Sequence, residues 1–414
     1  MTSKVRVCFL SPEFIPNWGG TGTYTINLLR NLPQDIEVHV VTTKRTIVGE
    51  DESEWASEEK IADFLGRPLE IHYLSAAKDT FMYNLRFQLE CTRELPRLNS
   101  KYHFDIFHST HPHMPDLYYQ LTPRNRIRTV TTVHDFLSVK RSSIKKSGMN
   151  FFELDQSEKA ILMLYPFLSR CESFYIKRVP VLIAPSDCIA GILASFGVKD
   201  ERIHVIRNGV DTTVFSRNQI DAQNSYALDS RSAVLFTGRL VSHKGIDTIL
   251  SAIPTILEEA PDTQFVFTGA GLPEQYLSKL ENPKVRGSIK FLGYLDNYFE
   301  MSKLYSSATV FVMPSLFENC PMSVLEAMSC EVPVVASNVG GVPEIITSGE
   351  NGVLIHPQDP TALAKSVLTI LQDKTYASKL GQSGRRTVVE RFSAQRMALE
   401  TVQLYESTIN EDIR

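Results

Sequence analysis

At 414 residues the chain is longer than a single hydrophobic core usually grows, so two domains are expected. Hydrophobic residues make up 43% and charged residues 22%, the balance of a folded globular protein, which excludes a disordered chain. The formal net charge of −4 lacks the basic excess of a duplex-binding protein, so nucleic acid is not an expected partner.

Six cysteines (Cys8, Cys91, Cys171, Cys188, Cys320 and Cys330) are scattered, with no C-x-x-C pair and no zinc spacing. Reduced thiols in a cytoplasmic protein fit this pattern better than a disulfide framework. The opening MTSKVRVCFLSPEF has too short an apolar run for a signal peptide and reads as a strand. The apolar stretch Ile161 to Ile183 is interrupted by Pro166, Arg170, Glu172, Lys177, Arg178 and Pro180, so no membrane span is expected. Any membrane contact would be peripheral. Arg124, Arg126 and Arg128, followed by Lys140, Arg141, Lys145 and Lys146, form a basic stretch. It reads either as a solvated face or as a surface for an anionic acceptor or lipid.

In chain order, strands are expected at Val5–Ser11, Glu37–Thr42, Leu69–Ser75, Phe104–Ser109, Thr129–His134, Val181–Ser186 and His204–Arg207. They are nearly continuous in apolar or β-branched residues, as strands buried on both faces must be. Helical patterns fall between them, at Thr23–Asn31 and Phe81–Leu98 for example, which implies parallel sheets with crossover helices. The segments around Glu50–Glu59 and Lys140–Lys146 read as mobile loops. A polar, aperiodic stretch at 216–231 reads as a linker. A second set follows, with strands at Ala233–Thr237, Gln264–Thr268, Ile289–Leu292, Thr309–Met313 and Val334–Ser337 and helices such as Ile246–Glu259 and Met322–Cys330. Thr361 to Asn410 is helical with few interruptions. The fold class is α/β: two Rossmann-like, doubly wound domains facing across a cleft, with ligand-binding residues just after the strands.

Four segments carry candidate chemistry. Gly19-Gly20-Thr21-Gly22 lies in the loop before the first helix, where glycines and a helix start favour an anion; a tight turn alone would also account for it. It lacks the third glycine of the dinucleotide pattern, which disfavours a nicotinamide oxidoreductase. Val133-His134-Asp135 ends an apolar strand, where His134 reads either as a satisfied structural residue or, facing the cleft, as a functional one, with Asp135 orienting the ring or capping the next segment. Gly238-Arg239-Leu240-Val241-Ser242-His243-Lys244-Gly245 sets two cations in one post-strand loop, suited to a diphosphate; His243 reads as a solvent-facing spectator. In the run from Pro314 to Met328, Glu318 sits in a loop and Glu326 in the second turn of a helix whose first turn holds Pro321. Eight helical residues span about 12 Å, more than the roughly 5–9.5 Å between a glycosidase's two carboxylates. Two parts of one elongated ligand suit the pair better.

The order G-G-x-G, T-V-H-D, R-N-G-V-D, G-R-x(4)-K-G, E-x(7)-E with E-A-M, and P-V-V-A-S-x-x-G-G-x-P-E resembles family 4 of the retaining glycosyltransferases, which have the GT-B fold. Here these are Gly19–Gly22, Thr132–Asp135, Arg207–Asp211, Gly238–Gly245, Glu318–Met328 and Pro333–Glu344. The resemblance implies an acceptor-side domain at 1–215, a nucleotide-sugar-binding domain at 232–392, and a C-terminal helix, 393–414, crossing back to the first domain. It implies that Glu326 accepts the ribose hydroxyls, Arg239 and Lys244 hold the diphosphate, and Glu318 lies against the donor sugar. His134 would approach that sugar, and the Gly19 and Gly20 backbone would sit near the reacting centre. Gly238, Leu295, Asn319, Cys320, Met322, Ser323 and Val324 would complete the donor contacts. Relatives carry glycine at the first and third positions after the first glutamate; this chain has Asn319 and Pro321 there, and proline has no N–H to offer.

The expected activity is transfer of a sugar from a nucleotide-sugar, UDP first and GDP-mannose next, to a lipid-linked or other glycan acceptor. Retention follows from the resemblance. No D-x-D triplet occurs, so no metal and no other cofactor is expected. A glycoside phosphorylase of similar fold and a non-catalytic nucleotide-binding module are the alternatives.

Overall fold

The computed structural model describes residues 5–15, 18–44, 57–76, 80–111, 116, 127–217, 232–271, 273–278, 280–295 and 297–410. The chain divides into two units, one of Met1–Ser138, Lys159–Asn208 and Ala394–Arg414, the other of Val139–Glu158 and Gly209–Ser393. From residue 218 onward the expected linker lies outside the described residues, as do Arg124, Arg126 and most of the acidic stretch.

The first unit is built on a seven-stranded sheet in the order β3-β2-β1-β4-β5-β6-β7. Its strands are β1 (Arg6–Leu10), β2 (Glu37–Lys44), β3 (Glu70–Ala76), β4 (Ile106–Ser109), β5 (Arg128–Thr132), β6 (Val181–Ala184) and β7 (Ile203–Val205). Every neighbouring pair is parallel. The order reverses direction between β1 and β4, the switch point of a doubly wound sheet. Burial explains the composition: Val7, Cys8, Phe9 and Leu10 are all inaccessible, because helices cover both faces. Polar side chains share that core, Thr131, Thr132 and His108 among them. His108 on β4 is fully buried, with Nδ1 2.5 Å from Tyr405 Oη and Nε2 2.8 Å from Thr132 Oγ1. Burial pushes its imidazole down to about 3, so the ring is neutral at physiological pH. Through Tyr405 it ties the last helix, Ala394–Asn410, to this sheet, where that helix also packs on the helix Gly20–Asn31.

The second unit has a six-stranded parallel sheet in the order β10-β9-β8-β11-β12-β13. Its strands are β8 (Ala233–Thr237), β9 (Gln264–Thr268), β10 (Ile289–Phe291), β11 (Val310–Met313), β12 (Val334–Ser337) and β13 (Val353–Ile355). β13 is not among the strands expected from the sequence. That strand is only Val-Leu-Ile, too short to show a period, and its pairing with β12 defines it. Ile246, Ile249, Leu250, Ile253, Ile256 and Leu257 line the buried face of the helix Ile246–Glu259 at helical spacing. Against them pack Leu363, Ala364 and Val367 of the helix Pro360–Gln372 and strand residues such as Phe265 and Phe267.

Two local expectations are corrected. Lys140–Lys146 is not a loop but belongs to the helix Leu137–Lys146, anchored by the buried Ser143 and Ile144. Gly20 to Gly22 form the first helical turn and only Gly19 precedes it. No helix among the described residues is long and apolar enough to cross a membrane.

Candidate active site

In the second unit the loop leaving β8 begins at Gly238 and closes with a short 3-10 turn, Ser242–Lys244. Gly245 then caps the helix Ile246–Glu259. This turn aims Lys244 at the loop after β11. Its Nζ donates to Glu318 Oε1 at 2.5 Å, and Ser315 Oγ donates to the same oxygen at 2.8 Å. The Lys244 side chain is 23% exposed and that of Glu318 11%, so the pair is shielded but within reach of a ligand. Arg239 is exposed in the same loop.

The seat of Glu318 depends on a glycine. Gly340 has φ 55°, and a Cβ there would lie 1.8 Å from the Glu318 carbonyl oxygen. That oxygen also accepts the Gly341 N–H at 3.0 Å. The glycine pair of the P-V-V-A-S-x-x-G-G segment thus supports the loop that carries Glu318, a role its sequence pattern does not reveal.

Beyond Glu318, Asn319 and Cys320 are buried, and Pro321 precedes the helix Met322–Ser329 as its N-cap instead of standing in its first turn. Met322 and Val324 are buried and Ser323 half-buried, so the first two would offer a ligand their backbone N–H groups rather than side chains. In the second turn Glu326 is buried and accepts from Tyr305 Oη at 2.7 Å; Tyr305 Oη lies 2.6 Å from Thr237 Oγ1 at the end of β8. Burial raises the Glu326 carboxyl to about 7, against the opposing pull of the Tyr305 hydrogen bond. Thr237 directly precedes Gly238, so this chain of hydroxyls connects Glu326 to the root of the Gly238–Gly245 loop. Leu295 is half-buried in the loop after β10, and Gly293 of that loop accepts from Gly269 N at 2.8 Å and Thr268 Oγ1 at 2.7 Å.

His243 does not face solvent. Its side chain is 13% exposed, with Nδ1 3.3 Å from Glu158 Oε1, an oxygen that also accepts Ser242 Oγ at 2.6 Å. Burial pushes the Glu158 carboxyl up, but the hydrogen bonds from His243 and Ser242 outweigh it and leave the group below its ordinary value. Glu158 and Tyr305 are supporting residues that sequence reasoning missed, and Gly340 stands out in the sequence only as part of a motif. No local signal shows these roles, because each acts on a partner distant in the chain.

In the first unit the helix Gly20–Asn31 and the end of β5 meet. The His134 ring packs edge-on to Tyr24, centroids 4.6 Å apart, and Tyr24 Oη lies 3.0 Å from Thr132 Oγ1. Gly22 allows the tight entry to the helix, since a Cβ there would lie 2.2 Å from Trp18 Cβ. The Gly19 N–H donates to Glu13 Oε2 at 3.3 Å, so a carboxylate already stands at this helix start.

Two family models match consecutive parts of the chain: Glycosyltransferase Family 4 over residues 18–214 and Glycosyl transferases group 1 over residues 218–387. An uncharacterized glycosyltransferase of Methanocaldococcus jannaschii is 33% identical over 246 residues, covering 58% of this chain and 61% of that protein. The alpha-maltose-1-phosphate synthase of Mycolicibacterium smegmatis is 33% identical over 261 residues, 58% of this chain and 66% of the relative. The aligned parts thus span less than two thirds of either relative's length. Among solved structures, sucrose-phosphate synthase from Thermosynechococcus elongatus superposes with a TM-score of 0.75 at 23% identity, covering 97% of this chain and 98% of that one. HepE of Anabaena, in complex with UDP and glucose, gives 0.71 at 18% identity, over 97% and 99% of the two chains. The fold is the GT-B type that the motif order implies.

Proposed function

Because the chain belongs to the family 4 glycosyltransferases, we propose that it moves a hexosyl group from a nucleotide-sugar to a glycan or lipid-linked acceptor, with retention. The observation that carries this reading is the placement of two differently held carboxylates in the second unit. Glu318 is paired to Lys244, and Glu326 is buried against Tyr305. Glu326 takes the ribose hydroxyls. Lys244, Arg239 and the helix start at Met322 stabilise the negative charge that grows on the leaving diphosphate. Both bonds to Glu318 described above end on Oε1, so Oε2 is the oxygen offered to a donor-sugar hydroxyl. By the family resemblance, His134 and the Gly19–Gly20 backbone are the first unit's candidates for the donor; Glu13, which holds the Gly19 N–H, would have to yield that bond to a phosphate. Gly238, Leu295, Asn319, Cys320, Ser323 and Val324 complete the donor contacts.

The chemistry proceeds on one face of the sugar. The bond from the anomeric carbon to the phosphate oxygen breaks, and the acceptor oxygen bonds to that carbon from the same side. The acceptor's proton passes to the departing phosphate oxygen. Two cations and a helix start serve the charge that a divalent metal serves in other transferases, so transfer proceeds without one. A UDP-sugar is the favoured donor, in keeping with the UDP and glucose held by HepE, and GDP-mannose is next.

A thermal-shift and turnover screen of UDP-, GDP- and ADP-sugars in EDTA tests this. A donor at about one hundred times its dissociation constant adds roughly 2.7 kcal/mol to stability. One sugar class should therefore stand out, giving a product of retained configuration by NMR. Silence from all three classes, or an inverted product, would sink the reading.

Peripheral membrane contact and a cytoplasmic location belong to the same proposal. On the helix Gln156–Ile176, Met163 (70% exposed), Phe167 (66%) and Phe174 (40%) recur at helical spacing on one face, with Arg170 among them. Apolar side chains beside a cation are what an anionic bilayer surface binds. Full-length protein should co-sediment with vesicles containing anionic lipid, and Met163→Asp with Phe167→Asp should abolish that. Equal sedimentation of the variant would refute it.

A further inference from the structure

At one edge of the first sheet, β2 and β3 run parallel with His39 opposite Glu70 and Val41 opposite His72. Alternation along each strand puts Glu37, His39, Glu70 and His72 on one face. There His39 Nδ1 lies 3.0 Å from His72 Nε2 and 3.8 Å from Glu70 Oε2. The two imidazole planes are within 7° of parallel. The His39 side chain is 1% exposed and that of Glu70 56%, so one ligand is fixed by packing and one is free to swing. Tyr102 and Phe104 pack on the His39 ring at centroid distances of 4.5 and 4.9 Å.

The far side of His39 decides what its near side presents. Its Nε2 lies 3.1 Å from Glu37 Oε1, and Arg6 Nε is 3.5 Å from the other oxygen of that carboxylate. A carboxylate at Nε2 holds the proton there and leaves the Nδ1 lone pair aimed at His72 and Glu70. This is the outer-shell carboxylate that orients a metal-binding histidine. Without a cation, a single proton between the two facing nitrogens satisfies both. A cation would displace that proton, and because the ring centroids lie 5.3 Å apart with the two nitrogens head-on, the His72 ring would have to turn for both lone pairs to converge on the ion. Zinc–nitrogen bonds of about 2.0–2.1 Å in a tetrahedral site set the two nitrogens about 3.3 Å apart, a few tenths of an ångström from the spacing seen. All three ligand atoms lie within 4.8 Å of one another. His72 also lines a cavity of about 490 Å³ together with Glu90, Arg93 and Glu94, the two acids paired with Arg86 and Arg97, which leaves the ring reachable from solvent.

We infer that His39, His72 and Glu70 form a binding site for a divalent transition-metal ion, best suited to zinc, with water as the fourth ligand. The ion would clamp the edge strand β3 to β2. Its role is structural and stands apart from sugar transfer, so this inference and the transferase reading fail independently.

The test is calorimetric titration of ZnCl2 into the EDTA-stripped, full-length protein at pH 7.5, with thermal unfolding in parallel. The expected result is one ion per chain and a raised Tm, both lost in His72→Phe, which keeps a ring on β3. Glu70→Gln should weaken binding at least tenfold. Co2+ in the unaltered protein should give the intense visible bands of a tetrahedral site, a readout that needs no variant to fold. Absence of zinc binding, undiminished binding in His72→Phe, or an octahedral Co2+ spectrum would each overturn the inference.

Discussion

Lys244→Ala is expected to lower turnover by about 100- to 1,000-fold, the usual loss when one preorganised charge is removed from a transition state. In the proposed transfer the bond from sugar to phosphate breaks as negative charge collects on the diphosphate, so Lys244 should matter most at the moment of cleavage. The loss should fall mainly on kcat, with a smaller rise in KM for the donor. Stability should change far less. Lys244 and Glu318 form one short ion pair, but Lys244 is 23% exposed and Ser315 remains on the same Glu318 oxygen. Water can solvate the carboxylate once the cation is gone, which limits the cost to about 1 kcal/mol. Steady-state kinetics and a urea midpoint separate the two effects. Turnover within threefold of the unaltered protein would remove Lys244 from the mechanism.

Glu326→Gln should stabilise the ligand-free protein and weaken its hold on nucleotide. The buried carboxyl has a folded pKa of about 7, raised by desolvation above the ordinary 4.5. Between these values the folded chain keeps a proton that the unfolded chain releases. Stability from this group therefore falls as pH rises through that window, and it stays low above pH 7. Glutamine carries no charge and can still accept the Tyr305 hydroxyl. At pH 8 the gain should be on the order of 3 kcal/mol, shrinking toward nothing near pH 4.5. Nucleotide affinity should drop about 10- to 100-fold, because hydrogen bonds to a charged acceptor contribute about 1.5–3 kcal/mol. For the same reason the unaltered protein should bind nucleotide less well as pH falls below 7. Urea unfolding at both pH values and a pH series of nucleotide titrations check each part. A destabilised Glu326→Gln with unchanged affinity would mean the carboxylate serves packing alone.

Much of the fold is legible because a parallel sheet covered on both faces demands continuous apolar strands, and these stand out at Val7–Leu10 or Val334–Ala336. What escapes is set by tertiary context. The run Leu137–Lys146 has a polar composition that suits a loop, yet burial of Ile144 and Ser143 holds it helical. β13 has too few residues to carry a period and exists because β12 offers a free edge. The candidate site divides the same way. Lys244 and Glu318 sit in recognisable segments and do meet. The Tyr305 hydroxyl on Glu326, the Glu158 carboxylate behind His243 and the Gly340 that seats Glu318 join residues far apart in the chain. No local pattern encodes such pairs.

In the proposed site the second unit grips a nucleoside diphosphate by its ribose at Glu326 and by its phosphates at Lys244. Calorimetric titration of UDP and of uridine into the unaltered protein, Lys244→Ala and Glu326→Gln tests it most directly. The expected result is UDP binding that Lys244→Ala weakens while leaving uridine unchanged, and that Glu326→Gln weakens for both ligands. UDP binding that neither substitution alters would contradict it.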